Sequence, residues 1–261
     1  MPGIRGDLDD DLALALSLAD AADELTTRRF RAHDLRVETK PDRTPVTEAD
    51  HAVETMVRQR LDEARPGDGV VGEEFGATGD GRRRWIVDPI DGTKSFVRGV
   101  PAWATLLALE VEGDVALGVV SAPALGRRWW ARRGGGAFAD GDRIRVSAVR
   151  RLEDAHLCGP SERYFDVCGL GAAFRGLAER CWQAAGFADF WGHVLVAEGA
   201  VDVMVEPVLA LWDVAALRPI VEEAGGRVSD LTGAGWADDA PCVTTNGWLH
   251  DTVLAAFAAP R

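Results

Sequence analysis

Apolar and polar positions change period several times along the chain. Residues 8–32 carry Leu12, Leu16 and Ala19 at helical spacing. Asp9, Asp10 and Asp11 precede them, acids suited to the first turn of a helix dipole. VETKPDRTPVTEAD (37–50) has two prolines and no period and is expected to be a loop. Thr47 and Asp50 form a capping-box pair at its end, and Val53, Met56, Val57 and Leu61 stripe the helix that follows.

The period then shortens to that of strands. GVVGEE (69–74) and RRWIVD (83–88) come first. WATLLALEV (103–111) and DVALGVVSA (114–122) are joined by Glu112-Gly113, a hairpin signal. RRWWARR and RIRVS flank a glycine-rich turn region ending in Asp140-Gly141. Residues 1–146 thus read as an α+β half, with two helices and an antiparallel-rich sheet. Residues 147–261 read as an α/β half. A strand is expected in AHLCGP, helices over 190–200 and from WDVAAL to the Gly225-Gly226 stop, then strands at 227–230 and near 242–245, and a helix near 248–258. Residues 162–182 fit neither period, and Pro219 interrupts the pattern of its helix. No repeat or polar linker separates the halves, so one compact unit is expected.

WIVDPIDGT (85–93) needs a chemical explanation. If 84–88 is a buried strand, Asp88 emerges at its C-terminal end, where ligand sites in layered α/β proteins gather. Pro89 stops regular pairing, and Asp91 can turn back towards Asp88 with the Ile90 carbonyl between them. Carboxylates this close share a proton or hold a cation. Oxygen donors alone favour hard ions such as Mg²⁺, Mn²⁺ or Ca²⁺. Gly92 lets the backbone approach closely, and Thr93 can open a short helix whose N–H groups face an anion. An Asx-rich turn with solvated acids is the competing explanation. Glu73 and Glu74 at the end of a neighbouring strand, and Asp213 at a helix start, supply the further acids a multi-metal site needs.

The formal net charge of −13 argues against a nucleic-acid binder. An anionic ligand would need local cations to reverse the field. No 18-residue apolar run predicts a membrane span, and the acidic N-terminal stretch lacks the apolar core of a secretory signal. A cytoplasmic protein is expected. Cys158, Cys168, Cys181 and Cys242 show neither metal-site nor disulfide spacing.

GEEFG (72–76), WIVDPIDGTKSF (85–96) and LWDVAALRPIVEEAGG (211–226), in this order, resemble the inositol monophosphatase-like family, which includes fructose bisphosphatases. The resemblance covers nearly the whole chain. It implies an α-β-α-β-α layered sandwich and a Mg²⁺-dependent phosphatase with two to three ions per site. Glu73, Asp88 and the Ile90 carbonyl would hold the first ion, Asp88, Asp91 and Asp213 the second, with a weaker third near Glu73. Gly92 and Thr93 N–H groups would bind phosphate. The Thr93 hydroxyl, oriented by Asp50, would work with Glu73 to position the attacking water. Lys40 matches the lysine of the family's mobile N-terminal loop, with Glu74 in support. A homodimer is implied as well.

RGVPAWATLLAL, SAPALGRRWWARRGGGAF and FWGHVLVAEGAVDVMVEP look most like the family's histidinol-phosphate phosphatase branch. Asp189 stands where inositol phosphatases carry a small neutral residue, and Glu206 matches a position that contacts the leaving group. Acids at both places suit a small phosphorylated substrate bearing a cationic amine. Trp191 and His193 would either pack internally or stack on its imidazole. Ala185 and Ala188 depart from the branch's R-x-x-G-D-F-W pattern. An inositol-phosphate or broader sugar-phosphate monoesterase is the alternative enzyme. A divalent-cation-binding module is the non-enzymatic one. A covalent aspartyl phosphatase would carry D-x-D-G-T, and the string here is one residue longer.

Overall fold

The computed structural model describes residues 5–41, 43–79, 82–235 and 238–258. The N-terminal half opens with α1 (Arg5–Arg29), a two-stranded ribbon of β1 (Val37–Thr39) and β2 (Pro45–Thr47), and α2 (Glu48–Ala64). Then come β3 (Gly69–Gly72), β4 (Gly76–Thr78), β5 (Arg83–Asp91), α3 (Thr93–Val97), β6 (Ala104–Val111), β7 (Asp114–Ala122), β8 (Arg127–Arg132), β9 (Gly136–Ala139) and β10 (Asp142–Arg143). These strands form one eight-stranded sheet, ordered β10-β9-β8-β7-β6-β5-β3-β4. Among the described residues, only β3 and β5 pair in parallel within it.

A short 3₁₀ turn leads into β11 (His156–Cys158), α4 (Glu162–Val167), α5 (Gly171–Ala178), β12 (Gln183–Ala185), α6 (Asp189–Ala197) and β13 (Val203–Leu209). The chain ends with α7 (Leu211–Ala215), α8 (Leu217–Glu223), β14 (Arg227–Ser229), β15 (Ala240–Thr245) and α9 (His250–Ala258). The second sheet is five-stranded, ordered β12-β11-β13-β15-β14.

Alternation along β5 and β6 explains the layering. Trp85, Val87, Leu107 and Leu109 face α1 and α2, packing on Ala15, Leu18, Val53 and Val57. Ile86, Leu106 and Ala108 face the other way, onto Phe190 and Val194 of α6 and Ile220 of α8. Behind α6 lie Cys158 and Met204 of the second sheet. That sheet's outer face, with Leu157, Val203 and Val243, packs on α4, α5 and α9 through Phe165, Phe174 and Val253. The expected α-β-α-β-α sandwich is the observed one. A strand buried on both faces reads as a continuous apolar run rather than an alternating one.

Four local expectations need correcting. The supposed loop at 37–50 contains the β1–β2 ribbon, whose first strand is exposed throughout and so has no apolar period. Asp42 within it lies outside the described residues, as do the first four residues. Asp9–Asp11 lie a turn further into α1 than a helix start, and Asp11 is fully buried. The helix expected from residue 212 to the glycine stop breaks at Ala216, and Pro219 is the third residue of α8. Its missing N–H falls among the first-turn groups that have no helical partner anyway. The expected helix over 190–200 runs from Asp189 to Ala197. No helix among the described residues is long and apolar enough to cross a membrane.

Candidate active site

The β5 strand carries the centre of the site. It runs on through Pro89 to Asp91, but its pairing with β6 shifts register between Asp88 and Asp91. That bulge is what Pro89, lacking a donor, imposes. Thr105 Oγ1 donates to the Pro89 carbonyl at 2.8 Å. The bulge turns Asp91 to the same side as Asp88. Asp213, on α7 at the edge of the same cleft, completes a cluster whose carboxylate oxygens lie within 4.8 Å of one another. Asp213 Oδ2 also accepts from Ala210 N at 2.8 Å, and Asp91 Oδ2 accepts from Phe190 N at 2.5 Å.

Among the described residues, no lysine or arginine pairs with these three acids. Asp88 Oδ1 is buried with no hydrogen-bond partner among the described residues. Burial first, then the neighbouring charges of Glu73, Asp91 and Asp213, push the Asp88 carboxyl well above its ordinary range. Burial and Asp189 do the same to Asp91. Burial, with Glu73 and Glu206 in support, raises Asp213 to about 7 against the donation from Ala210 N. A buried carboxylate with an orphaned oxygen and like-charged neighbours is unfavourable unless it is protonated or binds a cation. The donor set is all oxygen, which fits a hard divalent ion.

Glu73, Asp88, Asp91, Gly92, Thr93 and Asp213 line a cleft of about 330 Å³, which Asp189, Asp239 and Lys94 also border. A larger cavity of about 610 Å³ lies between α1 and the start of α2. Its acids are already matched, since Arg29 pairs with Asp34 and Glu48. The smaller cleft is therefore the candidate.

The remaining predicted residues fall around it. Glu73 lies just past β3, which runs beside β5. Its carboxylate is held by Lys40, whose Nζ lies 2.7 Å from both Glu73 Oε1 and Glu74 Oε1. Burial alone would lower the Lys40 ammonium, but these two acids more than reverse that and raise it. Asp50 is fixed by its own capping box: Thr47 N and Thr47 Oγ1 donate to Oδ2 at 2.8 and 2.6 Å. That leaves Oδ1 facing the Thr93 hydroxyl at 3.5 Å, while the same hydroxyl donates to the Ile90 carbonyl at 2.9 Å. Burial raises Asp50 to about 6. Gly92 precedes α3 with φ of 82°, and a Cβ there would approach the Ala102 carbonyl to 2.9 Å. Both conditions favour glycine.

Asp189 opens α6 in the left-handed region, with φ of 57°. Its N–H donates to Glu206 Oε1 at 3.1 Å. Asp189 borders the cleft, whereas Glu206 is buried and is not among the residues that line it. Burial and the Glu206 charge raise the Asp189 carboxyl to about 6. Trp191 packs on Phe187, and His193 is buried, so neither ring faces the cleft openly. Sequence reasoning missed Glu54, which accepts from Glu74 N and Phe75 N and so holds the loop that carries Glu73. The signal was present: Asp50, Glu54, Val57 and Leu61 share one helix stripe.

The layer order, the bulged carboxylate strand and the acidic cleft together define the class of metal-dependent phosphatases. The sequence profile of the inositol monophosphatase family matches residues 7–259, and the chain belongs to that family. Histidinol-phosphatase from Mycobacterium tuberculosis is 55% identical over 256 residues, covering 96% of this chain and 98% of that one. Histidinol-phosphatase from Streptomyces coelicolor is 50% identical, covering 94% and 96%. Among solved structures, the extragenic suppressor protein suhB from Bartonella henselae superposes with a TM-score of 0.90 at 30% identity, covering 97% of this chain and 100% of that one.

Proposed function

We propose that the chain is a Mg²⁺-dependent phosphoric monoester hydrolase whose substrate is L-histidinol phosphate. The observation that carries the hydrolase reading is the convergence of Asp88, Asp91 and Asp213, with no lysine or arginine paired to them among the described residues. Glu73, Asp88 and the Ile90 carbonyl would hold one ion, and Asp88, Asp91 and Asp213 a second, with a third near Glu73. When bound, the ions supply charge neutralisation for the phosphate and acidify water.

The protein's own groups do the rest. Gly92 and Thr93 present N–H groups to the phosphate at the start of α3. The Thr93 hydroxyl has two acceptors in reach, and turning from Ile90 to Asp50 frees the Ile90 carbonyl. With Asp50 held by Thr47, the hydroxyl is aimed and, with Glu73, positions the attacking water. Lys40 would release Glu73 as the site fills.

The choice of ester rests on Asp189, an acid facing the cleft, and on the relatives named histidinol-phosphatase. A carboxylate there attracts the ammonium group of histidinol. Glu206 supports Asp189 from behind. The protein would act as a cytoplasmic homodimer. The test is phosphate release from L-histidinol phosphate, inositol 1-phosphate and fructose 1,6-bisphosphate, each with Mg²⁺ and with EDTA. Histidinol phosphate should be preferred by about a hundredfold, ~2.7 kcal/mol, and EDTA should abolish turnover. Equal turnover of inositol 1-phosphate would overturn the ester assignment and leave the hydrolase standing. Metal binding without hydrolysis of any ester would overturn both.

A further inference from the structure

Behind Asp189 a line of buried side chains runs from the cleft into the second sheet. Glu206 on β13 accepts from Asp189 N through Oε1. Its other oxygen, Oε2, lies 4.0 Å from His193 Nε2 on α6. His193 Nδ1 lies 2.8 Å from Thr244 Oγ1 on β15. Thr244, His193 and Glu206 are 0%, 1% and 4% exposed, so water does not screen them. His193 Nε2 has no hydrogen-bond partner among the described residues. A ring nitrogen buried in this way, facing a carboxylate, needs a purpose beyond packing.

The far end of the line explains what is being held. Asp189 is a non-glycine residue at φ of 57°, a conformation that costs about 1–2 kcal/mol and persists only where neighbours enforce it. Two bonds enforce it here. Phe190 N is tied to Asp91, and Asp189 N is tied to Glu206. Asp91 belongs to the acidic cluster, so the Glu206 bond is the one that tunes Asp189 separately from the metal ligands. Glu206 sits on a strand, and its carboxylate can rotate unless something faces its second oxygen.

We infer that His193 is a positioning residue for substrate discrimination: braced by Thr244, it orients Glu206, and Glu206 sets the backbone that aims Asp189 at the substrate's ammonium group. A Thr244 hydroxyl that donates to Nδ1 selects the tautomer with its proton on Nε2, towards Glu206. The 4.0 Å separation is the reach of an electrostatic contact rather than a hydrogen bond. The inference rests on reading Asp189 as the ammonium acceptor.

The test compares L-histidinol phosphate with glycerol 2-phosphate, whose leaving group is neutral, both in the Mg²⁺-loaded enzyme. His193→Leu keeps the bulk and removes the donor. Its KM for histidinol phosphate should rise about tenfold, with kcat and the glycerol 2-phosphate constants within about twofold. His193→Gln, which restores an N–H near Nε2, should recover most of the loss. Thr244→Val removes the brace without a cavity and should raise the same KM about threefold. Equal losses on both esters, or a folded Leu variant with no change, would overturn the inference. If the Leu variant does not fold, Thr244→Val decides: a selective KM rise supports it, and its absence overturns it. An unsubstituted enzyme with no preference for the ammonium ester would remove the reading of Asp189 and the inference with it. An intact preference that His193→Leu leaves untouched removes the inference alone.

Discussion

Asp11 and Asp88 are both buried aspartates, at 0% and 2% exposure, on opposite sides of the same strand layer. Asp11 is held by Arg65 at 2.9 Å and by Arg83 at 2.8 Å. Asp88 pairs with no arginine or lysine among the described residues. It has an orphaned oxygen and is surrounded by other carboxylates. One acid is compensated by the chain itself, and the other awaits something the chain does not provide. Burial of a charge therefore does not distinguish structure from function, whereas the identity of its partners does.

Removing each acid should break the comparison in opposite ways. Asp88→Asn should lower kcat/KM by about a thousandfold, ~4 kcal/mol of barrier, while thermal stability of the metal-free protein holds or rises. Its neutral amide is no longer repelled by Glu73, Asp91 and Asp213. Steady-state kinetics beside a melting curve would show it. A stable, near-fully active Asn variant would sink the assignment of Asp88 to the metal site. Asp11→Ala should do the reverse. It takes a partner from Arg65 and from Arg83, which keeps Asp68 at 3.1 Å, and leaves a buried gap, so stability should fall by about 2 kcal/mol, measured by urea unfolding. The kcat of the folded fraction should be unchanged, because the cleft is elsewhere.

Proton and metal compete at the second kind of site, and the sign can be worked out. An unfolded aspartate titrates near 3.8, whereas Asp213 is raised to about 7 and Asp50 to about 6. A raised folded value means stability that is fully present below the unfolded pKa and lost as pH climbs through the folded one. The metal-free protein should therefore melt lower at pH 8 than at pH 5. Mg²⁺ at a hundredfold excess over its Kd contributes about 2.7 kcal/mol. For a chain of this length that is about 5–10 °C in Tm. The gain should be larger at pH 8, where the carboxylates are ionised, than at pH 5. A Mg²⁺-induced shift of equal size at both pH values would mean that the ion binds away from this cluster.

Much of the site was legible because its acids sit at the ends of elements that the periodic pattern marks. The apolar run ending at Asp88, the proline that bends it and the glycine that follows each leave a local signature. So does the Thr47–Asp50 cap, which the structure reproduces bond for bond. What was not legible depends on long-range register. Nothing near Asp11 announces Arg65 or Arg83, which reach it from α2's end and from β5. The exposed β1 strand has no period to read. Glu206, His193 and Thr244 are spread over 51 residues and meet only because β13 pairs with β15 and α6 lies across them. Glu206 was expected to line the substrate site. That expectation did not anticipate that its carboxylate would be spent on the backbone of Asp189.

The smallest effect sharpens the comparison most, because it concerns an acid that is neither compensated nor in the metal cluster. Asp189 has burial against its charge and Lys94 in favour of it, and its carboxyl is raised to about 6. It should therefore be largely ionised above neutral pH and available to an ammonium group. Asp189→Asn is the right substitution, since asparagine tolerates the left-handed backbone found here while alanine would not. The Glu206 bond uses the backbone N–H and survives the change. What is lost is the charge alone. The KM for histidinol phosphate should rise about tenfold, ~1.4 kcal/mol, at pH 8, and the difference from the unsubstituted enzyme should shrink as pH falls through about 6, because there the aspartate is itself protonated. A neutral ester such as glycerol 2-phosphate should respond by much less at either pH. Equal responses from both esters would show that Asp189 shapes the cleft without reading the charge of what enters it.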